Sequence, residues 1–239
     1  WLMYNNPALL SSVSDKTVAL NYMNFMRGVN LAGVAYNRVI KERASVALSA
    51  NYVNYGQMRY TTADNQDLGE FSAKDIAVTA YFSYMLTDKL AGGIAAKVLS
   101  SSIGHYHSVG VGVDLGLNYY DTDRELSLSV VGKNLGGQLK AYDDNYEAMP
   151  IDVQIGVSKR LKHTPFRFSA TLVDLNHWHY SLMKHFVFGV DAQLSQNIWV
   201  GAGYSLRRAN EMKVGDADTA SSHGAGLSLG AGLQLERFK

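Results

Sequence analysis

The sequence predicts an all-β fold: a transmembrane antiparallel up-and-down β-barrel in which about twelve strands can be recognised. Three observations lead to this prediction. Apolar residues alternate with small or polar residues over many stretches, and the links between these stretches are alternately short and long. The polar half of each alternation consists mainly of glycine, serine, aspartate and asparagine, whereas a surface in water is usually rich in lysine and glutamate.

The alternation is clearest in "YHSVGVGVDLGLNYYD", residues 106–121, where every second residue from Val109 to Leu117 is aliphatic. A period of two separates residues onto two faces only in an extended strand. Stretches of this kind occupy residues 16–26, 29–40, 43–62, 70–86, 89–101, 106–120, 124–134, 149–160, 165–175, 183–195, 197–208 and 222–237. No stretch shows a convincing helical pattern, so we expect strands throughout.

The links between the predicted strands differ in length in a regular order. Tight links such as "KER", "TDK", "DTD" and "SQN" alternate with longer ones, which span residues 62–70, 135–148, 176–182 and 209–222. In an up-and-down barrel every second link lies at the same rim. One rim would therefore carry tight turns and the other long loops, which is the arrangement of outer-membrane barrels.

The positions of the charged residues indicate which face of each strand contacts lipid and which face lines the interior. A lysine or arginine that faces lipid at the middle of the bilayer costs about 2–4 kcal/mol. The mid-strand charges all fall in the polar half of the alternation, at Lys97, Asp114, Lys133, Asp152, Arg167 and Asp191. We therefore predict that the apolar face contacts membrane lipid and the polar face lines the interior; a soluble β-barrel or sandwich is the alternative.

The composition and the motifs argue against several functions. Lys and Arg (22) nearly balance Asp and Glu (21), so a broad basic surface for nucleic acid is not expected, and the absence of cysteine excludes disulfides and thiolate metal sites. The "GLSLG" sequence around Ser228 matches a hydrolase motif that needs a strand-to-helix turn, but it lies within a predicted strand. The histidines lack partners at ligand-like spacing. We predict no catalytic residues, no metal site and no cofactor.

Several phrases of the chain together resemble the PorQ family of outer-membrane barrels of the type IX secretion system, which is related to the FadL group of fatty-acid transporters. These phrases include "NNPALLS" (5–11), "YVNYGQ" (52–57), "GEFSAKDIAV" (69–78), "KNLGGQLKAYDD" (133–144) and "PIDVQIGVSKRLKHTPFRFS" (150–169). The resemblance implies a barrel of fourteen strands with an N-terminal hatch. Residues 1–15 would form the hatch, with Asn6, Pro7 and Ala8 inside the lumen, and residues 16–239 the barrel.

The resemblance also implies a function that is not enzymatic. The barrel would lie in the outer membrane of a Gram-negative bacterium and anchor a PorZ-like surface protein in the complex that attaches secreted cargo to the cell. This extracellular partner would dock on the rim of long loops. The alternative is a FadL-like outer-membrane transporter of hydrophobic small molecules.

Overall fold

The structure is a computed structural model, and it describes residues 2–24, 28–61, 67–141, 146, 148–177, 181–195, 197–211 and 226–233. The strands in these residues are β1 (Val18–Asn24), β2 (Asn30–Ile40), β3 (Ala44–Thr61), β4 (Asp67–Met85), β5 (Leu90–Ile103), β6 (Tyr106–Asp121), β7 (Leu126–Lys140), β8 (Asp152–Arg160), β9 (Phe166–Leu172), β10 (Phe186–Gln193), β11 (Ile198–Ser205) and β12 (Leu227–Leu233). They form one sheet in which each strand pairs with the next along the chain, and the registers described are antiparallel. The predicted all-β up-and-down topology is confirmed.

The helical content is small. Short 3-10 turns occupy Leu2–Tyr4, Pro7–Ser12 and Leu182–His185, and one α-helix, α1, spans Leu206–Glu211. Among the described residues, no helix has the length and apolarity needed to cross a bilayer.

Helix α1 corrects the prediction that a strand continues to residue 208. Its sequence, "LRRANE", has no β-branched residue, and Arg207 Nε bonds Glu211 Oε1 at 2.7 Å, one turn away. The backbone amide of Arg208 donates to Ser205 Oγ at 3.3 Å, as at the start of a helix. Strand β11 therefore ends at Ser205.

Strand β7 corrects a second boundary, because it continues to Lys140 although a long loop was predicted from residue 135. Asn134 lies within this strand with a left-handed backbone, at a φ of +59°. Its amide donates to Asp114 Oδ1 at 2.7 Å. The exposed aliphatic side chains of the strand change parity there, from Leu128 and Val130 to Leu135 and Leu139. This shift obscured the alternation on which the prediction depended.

The chain divides into two compact units. The first consists of Trp1–Leu117 and Gly132–Ile151, and the second of Asn118–Val131 and Asp152–Lys239. The predicted division into a hatch of residues 1–15 and a barrel of residues 16–239 stays a prediction.

In the first unit, the apolar and polar faces are arranged in the opposite way to a water-soluble protein. Along β6, Leu115 and Leu117 are 46% and 49% exposed, whereas Asp114 between the aliphatic positions is only 5% exposed. On β2 and β4, Asn37 and Ser83 are fully buried. The predicted orientation, with the aliphatic residues outward and the small polar residues inward, is confirmed.

The second unit shows the same orientation. Ile155 and Val157 on β8 are exposed, as are Phe168 on β9 and Phe188 on β10, and Leu229 on β12 is 78% exposed. The polar Asn118 is buried and accepts hydrogen bonds from serine hydroxyls of β7. Such a continuous aliphatic surface matches a hydrocarbon environment better than water.

A pair of neighbouring substitutions on β8 tests this orientation. We expect Ile155→Lys to destabilise the protein in lipid vesicles by about 2–4 kcal/mol, because it places a charge on the exposed aliphatic face near the middle of a strand. Gln154→Lys is the control, since Gln154 Nε2 already donates to Asp152 and a lysine can keep that contact. Denaturant unfolding in vesicles measures both, and an equal loss in the two variants would contradict the orientation.

Candidate functional site

The first candidate site is built around the N-terminal segment, residues 2–13, which belongs to the first unit. Asn6 caps the 3-10 turn Pro7–Ser12: its extended backbone precedes the turn, and its Oδ1 accepts a hydrogen bond from the Ala8 amide at 2.9 Å. Pro7 follows at the first position of the turn, where its missing N–H costs nothing. The sequence Asn-Pro-Ala therefore determines the local shape of the segment.

Specific hydrogen bonds hold the N-terminal segment on the inner, polar face of the strands. Asn6 Nδ2 donates to the Leu117 carbonyl of β6 at 3.1 Å, and Ser83 Oγ of β4 donates to the Ala8 carbonyl at 3.3 Å. Lys133 Nζ of β7 donates to the Tyr4 carbonyl at 3.0 Å. Two backbone carbonyls of the segment thus accept from side chains of the sheet, and the Asn6 side chain donates to a backbone carbonyl of the sheet.

Apolar packing supports the same contact. Met3 and Leu10 of the N-terminal segment are 1% and 0% exposed, and they join a buried cluster that includes Tyr81 of β4. The ring of Tyr4 meets that of Tyr81 edge to face, with centroids 6.2 Å apart. A face that is otherwise polar therefore holds the segment partly by apolar burial.

Two glycines let the N-terminal segment approach the strands closely. A Cβ at Gly93 of β5 would overlap the backbone of Pro7 and Ala8, and one at Gly116 of β6 would overlap Asn6 Oδ1. Backbone atoms cannot move aside as a flexible side chain can, so any larger residue at Gly93 would push the N-terminal segment away from β5.

The structure thus brings Asn6, Pro7 and Ala8 together, buried, against β5 and β6. Their role as a hatch stays a prediction. The Asn-Pro-Ala motif identified these residues in advance, but their partners on the strands had no comparable local signal.

A second set of contacts lies on the same inner face, beside the N-terminal segment. Lys97 Nζ of β5 bonds both Asp114 Oδ2 and Asn134 Oδ1 at 2.8 Å. The side chains of Lys97 and Asp114 are 17% and 7% exposed, so this ion pair is largely shielded from water. Asn134 Nδ2 in turn donates to the Pro150 carbonyl at 2.9 Å. Sequence reasoning assigned Lys97 and Asp114 to the polar face but did not predict the network.

The second unit carries an open groove on the inner face of β9 to β12, with a volume of about 340 Å³. Its floor includes Ser169, Thr171, Asp191 and Trp199, together with several glycines. Arg167 Nη2 bonds Asp191 Oδ2 at 3.0 Å beside the groove. The groove shows that the inner face of this unit leaves space between the side chains.

In the second unit, a cluster of ionisable side chains joins the link between β9 and β10 to helix α1. Asp174 Oδ1 bonds His177 Nδ1, and Asp174 Oδ2 bonds Arg207 Nη1, both at 2.5 Å. Arg207 also holds Glu211, so α1 is fastened to the link. The side chains of Leu182 and Met183, on the next 3-10 turn, are 57% and 61% exposed.

The predicted docking loops are described only in part. Residues 135–140 are strand, residue 176 lies in the link after β9, residue 182 begins a 3-10 turn, and residues 209–211 belong to α1. Residues 62–66, 142–145, 147, 178–180 and 212–222 lie outside the described residues.

Two residues of the chemical motifs have described hydrogen bonds. Ser228 lies inside β12 and not within a strand-to-helix turn, and its hydroxyl donates to the Gly203 carbonyl. His185 Nδ1 is hydrogen-bonded to the Val173 carbonyl at 2.7 Å. Within the described part of the chain, no group of three or more histidines and acids is placed to hold a metal.

The acid dependence of the ionic cluster can be predicted. Burial of the carboxyl raises the pKa of Asp174, but hydrogen bonds and charges from His177 and Arg207 outweigh it, and the pKa lies below its usual 3.8. A lowered folded-state pKa contributes stability above the unfolded-state pKa, and this contribution is lost as the pH falls through the folded-state value. We expect Asp174→Asn to lower stability at pH 7 and to reduce its loss below about pH 4. Thermal unfolding between pH 2 and 7 measures this.

Asp88→Asn is the matched control for that prediction, because Asp88 pairs with Arg43 at 3.3 Å but its side chain is 94% exposed. Exposed pairs contribute little, so its profile should follow that of the unchanged protein. An identical acid profile for Asp174→Asn and the unchanged protein would contradict the role of Asp174.

No protein-family model matches the chain, and no curated protein matches it. Solved structures, in contrast, do match the chain. The toluene transporter TodX of Pseudomonas putida superposes with a TM-score of 0.57 at 14% identity, over 85% of this chain and 78% of that one. The CymD monoaromatic hydrocarbon channel gives 0.57 at 12% identity, over 84% and 77%. A FadL homologue of Pseudomonas aeruginosa gives 0.50 at 12% identity, over 85% and 75%.

At these identities the likeness concerns the fold. In its backbone arrangement the chain is similar to a toluene transporter and a monoaromatic hydrocarbon channel. The predicted fold class is confirmed: the fold is an all-β antiparallel up-and-down sheet that resembles FadL-like outer-membrane barrels.

Proposed function

We propose that this protein is a FadL-like outer-membrane channel for hydrophobic small molecules and that its N-terminal segment acts as the hatch. The observation that carries the proposal is the arrangement of the two faces. Aliphatic side chains form the exposed face of both units, and a small-residue polar face lies inward, where the N-terminal segment covers it in the first unit. The fold similarity to hydrocarbon channels supports the same function.

The N-terminal segment is held by apolar burial of Met3 and Leu10 and by separate hydrogen bonds that are each weak enough to break. The described hydrogen bonds at Leu117, Ser83 and Lys133 reach three different strands. Each is worth only about 0.5–3 kcal/mol, depending on whether a charge takes part. A passage along the inner face of the first unit would require the segment to move.

The substrate class is proposed from the printed names of the similar structures, which are a toluene transporter and a monoaromatic hydrocarbon channel. Nothing in the described residues suggests covalent chemistry on such a compound. We therefore propose passage without reaction.

Uptake of radiolabelled toluene by cells that produce the protein tests the proposal. We expect faster uptake than in cells lacking it. We also expect Gly93→Ala to speed uptake several-fold, because the added methyl displaces the backbone of Pro7 and Ala8. Gly92→Ala is the matched control on the same strand, since a Cβ there would make only ordinary contacts with the side chains of Leu86 and Leu117, at 3.4 Å and 3.7 Å. Equal uptake with and without the protein would refute the channel.

The second candidate is anchoring of a surface partner in the type IX secretion system. It is favoured by the PorQ-like phrases, which are spread from residue 5 to residue 169, and by the filled inner face of the first unit, which suits a wall that holds a partner as well as one that opens. In this case the partner would be a PorZ-like surface protein bound at the rim of long loops. The exposed Leu182 and Met183 offer apolar contacts in the link between β9 and β10.

Co-purification with a PorZ-like protein after mild detergent extraction tests this second candidate. We expect the double variant Leu182→Asp, Met183→Asp to lose most of the partner, because a central apolar contact in an interface is worth about 2 kcal/mol or more. Leu194→Asp is the control: Leu194 is 63% exposed but lies at the opposite end of β10, in a tight link. Unchanged recovery with the double variant counts against docking here, and equal loss with Leu194→Asp counts against this rim.

A further inference from the structure

Strand β7 contains two neighbouring residues that hold different inner segments. Lys133 binds the Tyr4 carbonyl of the N-terminal segment, and Asn134 binds the Pro150 carbonyl. We define residues 148–150 as the inner strap. Consecutive residues of a regular strand point to opposite faces, so they cannot ordinarily serve the same side.

The backbone of Asn134 explains how both residues reach the inner face. Its left-handed φ of +59° interrupts the alternation, and the parity of the exposed aliphatic residues on β7 changes at this point. Asp114 Oδ1 stabilises this conformation by accepting the Asn134 amide at 2.7 Å. Asparagine adopts left-handed backbone more readily than most residues do. If Asn134 became extended, one of the two side chains would leave the inner face.

The inner strap follows β6 closely. Ala148 forms a bridge with Gly137 of β7, and Met149 lies against the bare glycine face of β6. A Cβ at Gly112 would stand 2.9 Å from Met149 Sδ, and one at Gly110 would stand 3.5 Å from Met149 Cε. The glycines therefore provide the space that the methionine fills.

Together the two segments cover the inner face of β6 between Gly110 and Gly116. Met149 covers Gly110 and Gly112, and Asn6 covers Gly116. Between them lies Asp114, paired with Lys97 at 2.8 Å and bonded to the Asn134 amide. A shielded carboxylate of this kind is costly to leave without its partners.

We infer that the N-terminal segment and the inner strap form a two-part plug, coupled through Lys133 and Asn134, so that release of either part loosens the other. This inference rests on the proposed channel, whose opening it would regulate. The left-handed turn at Asn134, stabilised by Asp114 and Lys97, keeps both parts in place at once. Extension of that turn would withdraw one of the two side chains from the inner face, and the loss of that contact would loosen the other part as well.

The chain contains no cysteine, so single introduced cysteines can report on each part. Leu10→Cys reports on the N-terminal segment, because Leu10 is fully buried, and Met149→Cys reports on the inner strap. The rate of reaction with a water-soluble maleimide is measured on the full chain in detergent micelles. Asn134→Ala should speed labelling of both reporters by about tenfold, the effect of losing a hydrogen bond to a charged group.

Lys133→Ala is the decisive variant, because Lys133 contacts the N-terminal segment at Tyr4. A coupled plug predicts faster labelling of Met149→Cys as well as Leu10→Cys. Faster labelling of Leu10→Cys alone would overturn the coupling, as would unchanged labelling of both reporters. Lys41→Ala is the matched control: Lys41 is exposed and also left-handed, with a φ of +54°, but it lies in the link between β2 and β3.

A further variant separates local unfolding from release of the plug. Asn134→Gly retains access to the left-handed backbone but loses the side-chain bonds to Lys97 and Pro150. Because the turn is kept, it should speed labelling of the two reporters less than Asn134→Ala does, whereas acceleration equal to that of Asn134→Ala would overturn the role of the turn. The labelling rates report movement of the plug whether or not toluene crosses, so a failed uptake experiment would leave this result interpretable.

Discussion

The structure depends on one constraint: a strand with an aliphatic exposed face must satisfy all of its polar groups on the other side. In hydrocarbon, an unpaired polar group costs several kcal/mol, so backbone groups pair between strands and inner side chains pair with one another. The buried Asp114 shows the consequence. Lys97 neutralises its charge, and the Asn134 amide occupies its other oxygen. The same need explains why Asn118 is bonded to two serine hydroxyls of β7.

Glycine has a particular use on such an inner face. At most positions a small residue merely leaves room in a crowded interior, but on β5 and β6 it decides where other segments lie. Gly93 and Gly116 admit the backbone and capping side chain of the N-terminal segment, and Gly112 admits Met149. The glycine positions of these strands therefore provide the space in which the N-terminal segment and Met149 pack. A strand with larger polar residues at these positions would still alternate between an aliphatic and a polar face. However, the N-terminal segment and Met149 could not pack against it.

The alternation of apolar and polar residues predicted the strands well, because successive side chains of any extended backbone point to opposite faces. This property does not depend on tertiary contacts. The prediction failed where a long-range contact changes the backbone. Asn134 is left-handed within β7 with its amide bonded to Asp114, twenty residues away in sequence, and the strand continues beyond it. Helix α1 was missed because six residues are too few to show a helical period. The Asn-Pro-Ala turn was recognisable because its cap is local, whereas the residues that contact it are spread over β4, β5 and β6.

The two candidate functions make different demands on the same inner contacts. A channel needs a covering that can leave, and an anchor needs a wall that stays rigid while force is applied at the rim. The N-terminal segment combines tight backbone seating at Gly93 and burial of Met3 and Leu10 with hydrogen bonds that are individually weak and reach separate strands. A closely fitting segment held by separate weak bonds can return to one position after it moves. That property is required of a hatch and is unnecessary in a permanent anchor, so the geometry of the first unit supports the channel more than the anchor.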